Sequence, residues 1–295
     1  MINIENFEQL IKTCKDKNKT IYEVFLDLEA RMLDKSKDEI LEMMRVNLQT
    51  MYWSIKHGLE NKELSASKLS GGAAHKVSKR YSDNSKLPMD RLFGKILSYS
   101  LATIEENQRM GKIASCPTAG SCGILPAVVI AYVEKYKLTD EDAINALITA
   151  GGIGKLVAHK MALAGAVAGC QAECGVASAM AAGAATQLLG GSIDQIINAT
   201  ALALKNVMGL ACDPVAGLVE VPCVKRNGFL AIHAVTASEL AFAGIESVIP
   251  IDEIVTAMKQ VGDLMSPLLK ESSDGGLATT ETAIKITNEL KKAWS

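Results

Sequence analysis

With 295 residues, 48% of them hydrophobic, the chain is long enough to bury a large core. Its 33 acidic and 31 basic residues leave a formal charge of −2, which excludes the basic footprint that a phosphate backbone demands, so no nucleic-acid partner is expected. Seven cysteines, an odd number, argue against a complete disulfide framework, and the opening MINIENFEQL lacks the cationic and apolar stretches of a secretion signal; together they predict a cytoplasmic protein whose clustered cysteines ligate metal or do chemistry.

In chain order, a first helix carries Cys14 on its apolar side, where a packed thiol is expected. KDKNK at 15–19 reads as a solvated loop between two helices rather than a basic patch. Ser36 with Glu39 three residues later forms a capping box ahead of the periodic run ILEMMRVNLQTMYWSIKHGLE, which predicts a long amphipathic helix. SKLSGGAAHK at 67–76 and SCPTAGSCG at 115–123 read as loops. In the second of these, Gly120 and Gly123 alternate with hydroxyls ahead of Pro126, a residue suited to a first helical turn. Free N–H groups at that helix start would suit a carboxylate, and an ordinary cap supplied by Thr118 or Ser121 would explain the same residues equally well. Cys116 and Cys122, six apart, match no common cluster motif and are expected to line the site.

Thr139 with Asp142 is a weaker capping box before the helix AINALITA, which Gly151 and Gly152 are expected to end. GGIGK at 151–155 has neither a preceding strand nor the Walker spacing, so a loop at a helix terminus is expected there, without a ligand. Residues 174–193 run uncharged but consist of alanine, glycine and serine, too weakly hydrophobic for a membrane span; a buried helix with close neighbours is predicted. Ser192 and Gln195 repeat the capping box before IINATALALKNVM, with Gly209 as its stop. Pro214 and Pro222 bias Asp213 and Val221 toward extended backbone, and ESSDGG at 271–276 reads as the flexible stretch. The expected architecture is all-α: one Ala/Gly-rich helical domain over residues 1–295, with 1–64 as N-terminal helices packed on the core and irregular loops gathered into a site.

Three cysteines stand where the helical pattern breaks: Cys170 in AGCQAECG, and Cys212 and Cys223 at the two ends of CDPVAGLVEVPC. Such an arrangement suggests a metal centre. Three protein thiolates keep one coordination position open and so point to chemistry on a substrate, whereas a fourth would close a structural zinc or an electron-transfer cluster. His57, His75, His159 and His233 are scattered singly, so a histidine metal site is unsupported, and the absence of a G-x-S-x-G elbow leaves a hydrolase without footing.

Taken together, PTAGSCGILPAV, AGCQAECGVASAMAAGA, GLACDPVAGLVEVPCVKRNG and GGLATTETA resemble the iron–sulfur-dependent L-serine dehydratase family over roughly residues 65 to 285. That resemblance implies a [4Fe–4S] cluster on Cys170, Cys212 and Cys223, no pyridoxal phosphate, and conversion of L-serine to pyruvate and ammonia. It makes Cys174 a packing residue. The chain lacks the PSSSHT motif and terminal cysteine of single-chain relatives, which implies the alpha subunit of a two-subunit form, completed by a separate beta subunit. The resemblance and the helix start together make Thr118, Ala119, Gly120 and Ser121 the expected holders of the substrate carboxylate. The proton acceptor is left open between Lys225, His159 and a group of the partner. Competing readings are an iron–sulfur L-cysteine desulfidase, a non-catalytic zinc-binding helical protein and an electron-transfer subunit.

Overall fold

The computed structural model describes residues 4–83 and 86–294, and among these it holds thirteen α-helices and no strand. They are α1 (Phe7–Lys17), α2 (Ile21–Met32), α3 (Lys37–Glu60), α4 (Ala73–Asp83), α5 (Arg91–Gln108), α6 (Ile124–Tyr136) and α7 (Asp140–Lys160). The single turn α8 (Gly165–Ala168) then precedes α9 (Val176–Leu188), α10 (Ile193–Lys205), α11 (Cys223–Phe242), α12 (Ile251–Leu264) and α13 (Glu281–Trp294). The all-α expectation holds.

Local signals set many of the helix starts. The capping boxes at Ser36/Glu39, Thr139/Asp142 and Ser192/Gln195 all form, and Thr20 with Glu23 makes a fourth that opens α2. Each satisfies two otherwise orphaned donors and contributes about 1 kcal/mol. At the other end of α1, Asn18 closes the helix in the left-handed region (φ 49°), so the first residues of the KDKNK run are helical rather than loop.

The alanine-rich stretch is the buried helix α9, packed against α6, α7, α10 and α11. Small side chains permit that close approach: a Cβ on Gly183 would stand 2.4 Å from Ile153 Cδ1. Its buried hydroxyls are satisfied by neighbours, Ser178 donating to the Leu230 carbonyl at 2.8 Å and Thr186 pairing with Ser238 at 2.9 Å. No helix among the described residues is long and apolar enough to cross a membrane. One continuous core extends from Ile4 to Met258, and α1 to α3 join it by packing on α12, α7 and α5.

Gly151 and Gly152 do not end a helix. They lie inside α7, and the expected loop at 151–155 is helical throughout. A mid-helix glycine costs about 1 kcal/mol relative to alanine, but here it serves packing: a Cβ on Gly152 would fall 2.1 Å from the Phe25 ring. The loop expected at 67–76 is likewise shorter, since α4 begins at Ala73. Gly209, in the left-handed region at φ 86°, closes a turn that follows α10 rather than the helix itself, whose cap is Asn206.

Candidate active site

The interruptions of the bundle meet at one end, where four segments are cross-tied. After α8 the chain turns at Gly169 (φ 77°), where a Cβ would press within 2.7 Å of Met265 Sδ, and enters a π-helical turn at Gln171–Gly175. That wider turn gathers the sulfurs of Cys170 and Cys174 and a carboxylate oxygen of Glu173 within 4.8 Å of one another. Cys174, expected as a packing residue, is buried beside the expected ligand Cys170.

Cys212 is fixed by a single parallel bridge, donating its N–H to the Leu269 carbonyl at 2.8 Å while its own carbonyl accepts from Glu271 N–H at 2.7 Å. Asp213 Oδ2 accepts from Leu277 N–H at 2.9 Å, and Ser273 Oγ donates to the Pro214 carbonyl at 2.8 Å. The ESSDGG segment, expected to be flexible, is thus a strap hydrogen-bonded along the cysteine loop. Its polar residues read as linker because their partners lie about sixty positions away.

Between Cys212 and Cys223 the backbone is not one extended run. It folds through a 3₁₀ turn at Val215–Gly217, with Ala216 left-handed at φ 57°, and Val215 N–H donates to the Val221 carbonyl at 2.9 Å. Proline constrains the single residue before it, and the rest of the loop follows its own hydrogen bonds. Cys223 then becomes the first residue of α11. One turn on, Arg226 donates to the Ala211 carbonyl at 2.8 Å, approaches Asp213 Oδ1 at 3.5 Å and reaches the Cys170 sulfur.

The thiols feel one another. The Cys174 side chain, followed by the Arg226 guanidinium, holds the Cys170 thiol below the ordinary thiol range against the opposing effect of burial. Burial first and the charge of Cys170 second push Cys223 up to about 12, and the same causes with Cys223 added push Cys212 higher. Three soft donors with coupled charges suit a metal centre, yet Cys212 and Cys223 belong to no trio of donors within 4.8 Å among the described residues.

Loop 115–123 faces this group. Asn227 of α11 clamps it, donating to the Gly120 carbonyl at 2.8 Å and accepting from Gly123 N–H at 3.0 Å. The N–H groups at the start of α6 are not free as expected: Cys122 donates to Ala119, Gly123 to Asn227 and Ile124 to Ser121. Instead, the N–H groups of Ala119, Gly120 and Ser121 have no hydrogen-bond partner among the described residues. Neither Thr118 nor Ser121 caps the helix; Gly123 stands at that position without a side-chain bond. The two hydroxyls pair with each other at 3.0 Å, and Thr118 Oγ1 donates to Glu173 Oε1. Cys116 and Cys122 are buried beside this loop, their sulfurs directed to the carbonyls of Ala114, Cys122 and Thr103.

Glu173 joins the two halves of the site and was not singled out as a functional residue from sequence. Burial pushes its carboxyl above the usual range, and the Thr118 hydroxyl pulls it partly back. The signal existed in CQAEC, where positions 170, 173 and 174 share a helical face. Lys225 and Arg226 border a cavity of about 540 Å³ between α11 and the turn at 206–210, whereas His159 is exposed near the end of α7. His57 is not isolated: its Nδ1 lies 2.6 Å from the buried carboxylate of Glu106.

A sequence model of the serine dehydratase alpha chain family matches residues 16–278. The chain is 42% identical over 285 residues to the probable L-serine dehydratase alpha chain of Bacillus subtilis strain 168, covering 97% of this chain and 94% of that one. It is 38% identical to the L-serine dehydratase alpha chain of Peptoniphilus asaccharolyticus, covering 96% and 97% respectively. The L-serine dehydratase of Streptomyces coelicolor is 35% identical across 92% of this chain, which spans 60% of that longer protein.

Proposed function

The chain belongs to the serine dehydratase alpha chain family, and from that premise we propose that it is the subunit in which L-serine loses water and then ammonia to give pyruvate. The meeting of the Cys170–Cys174 turn and loop 118–121 at one carboxylate, Glu173, with Cys212 flanking it across Gly165, carries this reading. The three cysteines hold a [4Fe–4S] cluster, and pyridoxal phosphate has no part. When bound, a cluster with one iron free of protein ligands supplies a Lewis acid to the departing hydroxyl group.

The chain's own residues orient the substrate. Unpaired N–H groups of Ala119, Gly120 and Ser121 receive the carboxylate, in the way that convergent backbone donors bind anions generally. Thr118, which pairs with Ser121 and gives its hydroxyl proton to Glu173, helps hold the carboxylate by tying that loop to the cysteine turn. Asn227 holds the loop against the helix that begins with Cys223, so the substrate pocket and one ligand move as a unit. After elimination the enamine tautomerises to an imine, whose hydrolysis releases ammonia. The alpha-chain names of the Bacillus and Peptoniphilus relatives, and the two-fifths of the Streptomyces protein that lie outside the match, support a separate beta subunit that completes the enzyme.

Anaerobic protein purified with its beta subunit is the test: iron and acid-labile sulfide should be present, and L-serine should yield equal amounts of pyruvate and ammonia. Faster release of sulfide from L-cysteine would instead favour a desulfidase. Thr118→Val keeps the side-chain shape and removes the hydroxyl, so the Michaelis constant for serine should rise about tenfold, the worth of one hydrogen bond. An unchanged Michaelis constant and turnover would remove loop 118–121 from the substrate pocket.

A further inference from the structure

We propose that Glu173 recognises the α-ammonium group of the amino-acid substrate. The inference rests on the reading of the site as a serine-eliminating centre and names the group that distinguishes an amino acid from a hydroxy acid there.

Serine brings three polar groups to the site. Its carboxylate is met by the N–H groups of residues 119–121 and its hydroxyl by the metal centre, which leaves the ammonium without a partner. Glu173 lies between those two sub-sites, with Oε1 bonded to Thr118 and the carboxylate beside the Cys170 and Cys174 sulfurs. It is mostly buried yet not sealed from solvent, and no lysine, arginine or histidine forms an ion pair with it among the described residues. Arg226, whose charge acts on it, is engaged by Ala211, Asp213 and Cys170. A buried carboxylate lacking a counter-ion is costly, and a substrate ammonium offsets that cost only while bound.

Two glycines let the backbone approach the carboxylate without a side chain against it. A Cβ on Gly120 would come 2.6 Å from Oε1, and one on Gly165 would come 3.2 Å from Oε2 and 3.0 Å from Cys212 Sγ. Both backbone segments therefore pass close to Glu173 without covering it. Oε2 and the Cys212 sulfur flank Gly165 together, which is the side from which a substrate seated at the metal centre would present its Cα substituents.

The experiment compares L-serine with 3-hydroxypropanoate, which is serine without its ammonium, on the anaerobic complex with the beta subunit. In the unaltered enzyme 3-hydroxypropanoate should inhibit with a constant at least about 100-fold above the Michaelis constant for serine, the expected worth of a charge-assisted bond. Glu173→Gln should raise the Michaelis constant for serine about 100-fold, lower turnover less than tenfold, leave 3-hydroxypropanoate inhibition within about threefold and leave iron and sulfide content unchanged. Turnover lost at an unchanged Michaelis constant would make Glu173 a proton-transfer group and overturn the proposal. Equal weakening of both compounds would also overturn it. Should Glu173→Gln fail to fold, similar affinities of the two compounds for the unaltered enzyme would still refute ammonium recognition. An unaltered complex without iron or serine turnover would instead indict the reading of the site, not the role of Glu173.

Discussion

Cys170→Ala, Cys212→Ala and Cys223→Ala are each expected to lower serine turnover about 1,000-fold or more and to strip iron from the anaerobic complex, because several kcal/mol of charge stabilisation on the leaving group vanish with the Lewis acid. The discriminating control is Cys174→Ala. Its sulfur lies within 4.8 Å of that of Cys170, but its thiol is pushed well above the ordinary range, first by the hydrogen bond to Cys170 and then by burial. It acts as the protonated donor of that pair, so its loss should leave metal and sulfide in place. If Cys174→Ala lost metal as completely as the other three, the site would be a closed four-thiol set, and substrate chemistry at an open position would fall with it. Cys14, buried in α1 far along the chain from the site and pushed up to about 11 by burial, should cost only packing when replaced by alanine. Iron per chain and the visible absorption of the cluster are the readouts, so the result does not depend on activity alone.

What the sequence disclosed, and what it hid, follows the range of the interactions involved. The capping boxes at Ser36, Thr139 and Ser192 were readable because donor and acceptor sit three residues apart. The buried character of α9 was readable because a run of alanine, glycine and serine packs well and inserts in a membrane poorly. Gly152 misled because its reason for being glycine is the ring of Phe25, more than a hundred residues earlier. The strap at 271–276 misled for the same cause, its partners being Cys212, Asp213 and Pro214. Loop 118–121 was singled out, but for donors at the helix start that prove to be occupied; the free ones lie two to four residues earlier. A motif can announce that a segment is special, while the identity of its open donors depends on Asn227, which only the fold brings there.

Glu220→Ala is expected to destabilise the chain by about 3 kcal/mol and to impair iron retention, although the Glu220 side chain bonds to none of the three proposed metal ligands. Its carboxylate is buried within the cysteine loop and accepts from Ser65 and Ser67 at 2.6 Å and from Ser70 as well. No cation pairs with it among the described residues; three hydroxyls from loop 65–70 do that work. Removing the acceptor strands buried donors, each costing about 1–3 kcal/mol, partly recovered because Ser65 and Ser67 lie 3.0 Å apart and can pair. Against a total stability of about 5–15 kcal/mol such a loss is large, and for a chain of this size it should lower the melting midpoint by roughly 5 °C. The Glu220 carbonyl also accepts from Val224 N–H at 3.0 Å, so loosening residue 220 loosens the first turn of α11 and with it Cys223. Glu220→Gln should be milder, about 1 kcal/mol, since a serine facing the amide nitrogen can rotate its hydroxyl and accept. Ser67→Ala should cost a similar amount, because Glu220 keeps two donors. Thermal unfolding of the anaerobic complex and iron analysis of the three variants give the order, with alanine at 220 lowest on both measures. If all three variants melted within about 1 °C of the unaltered chain, the serine clamp would not be what holds the cysteine loop in register.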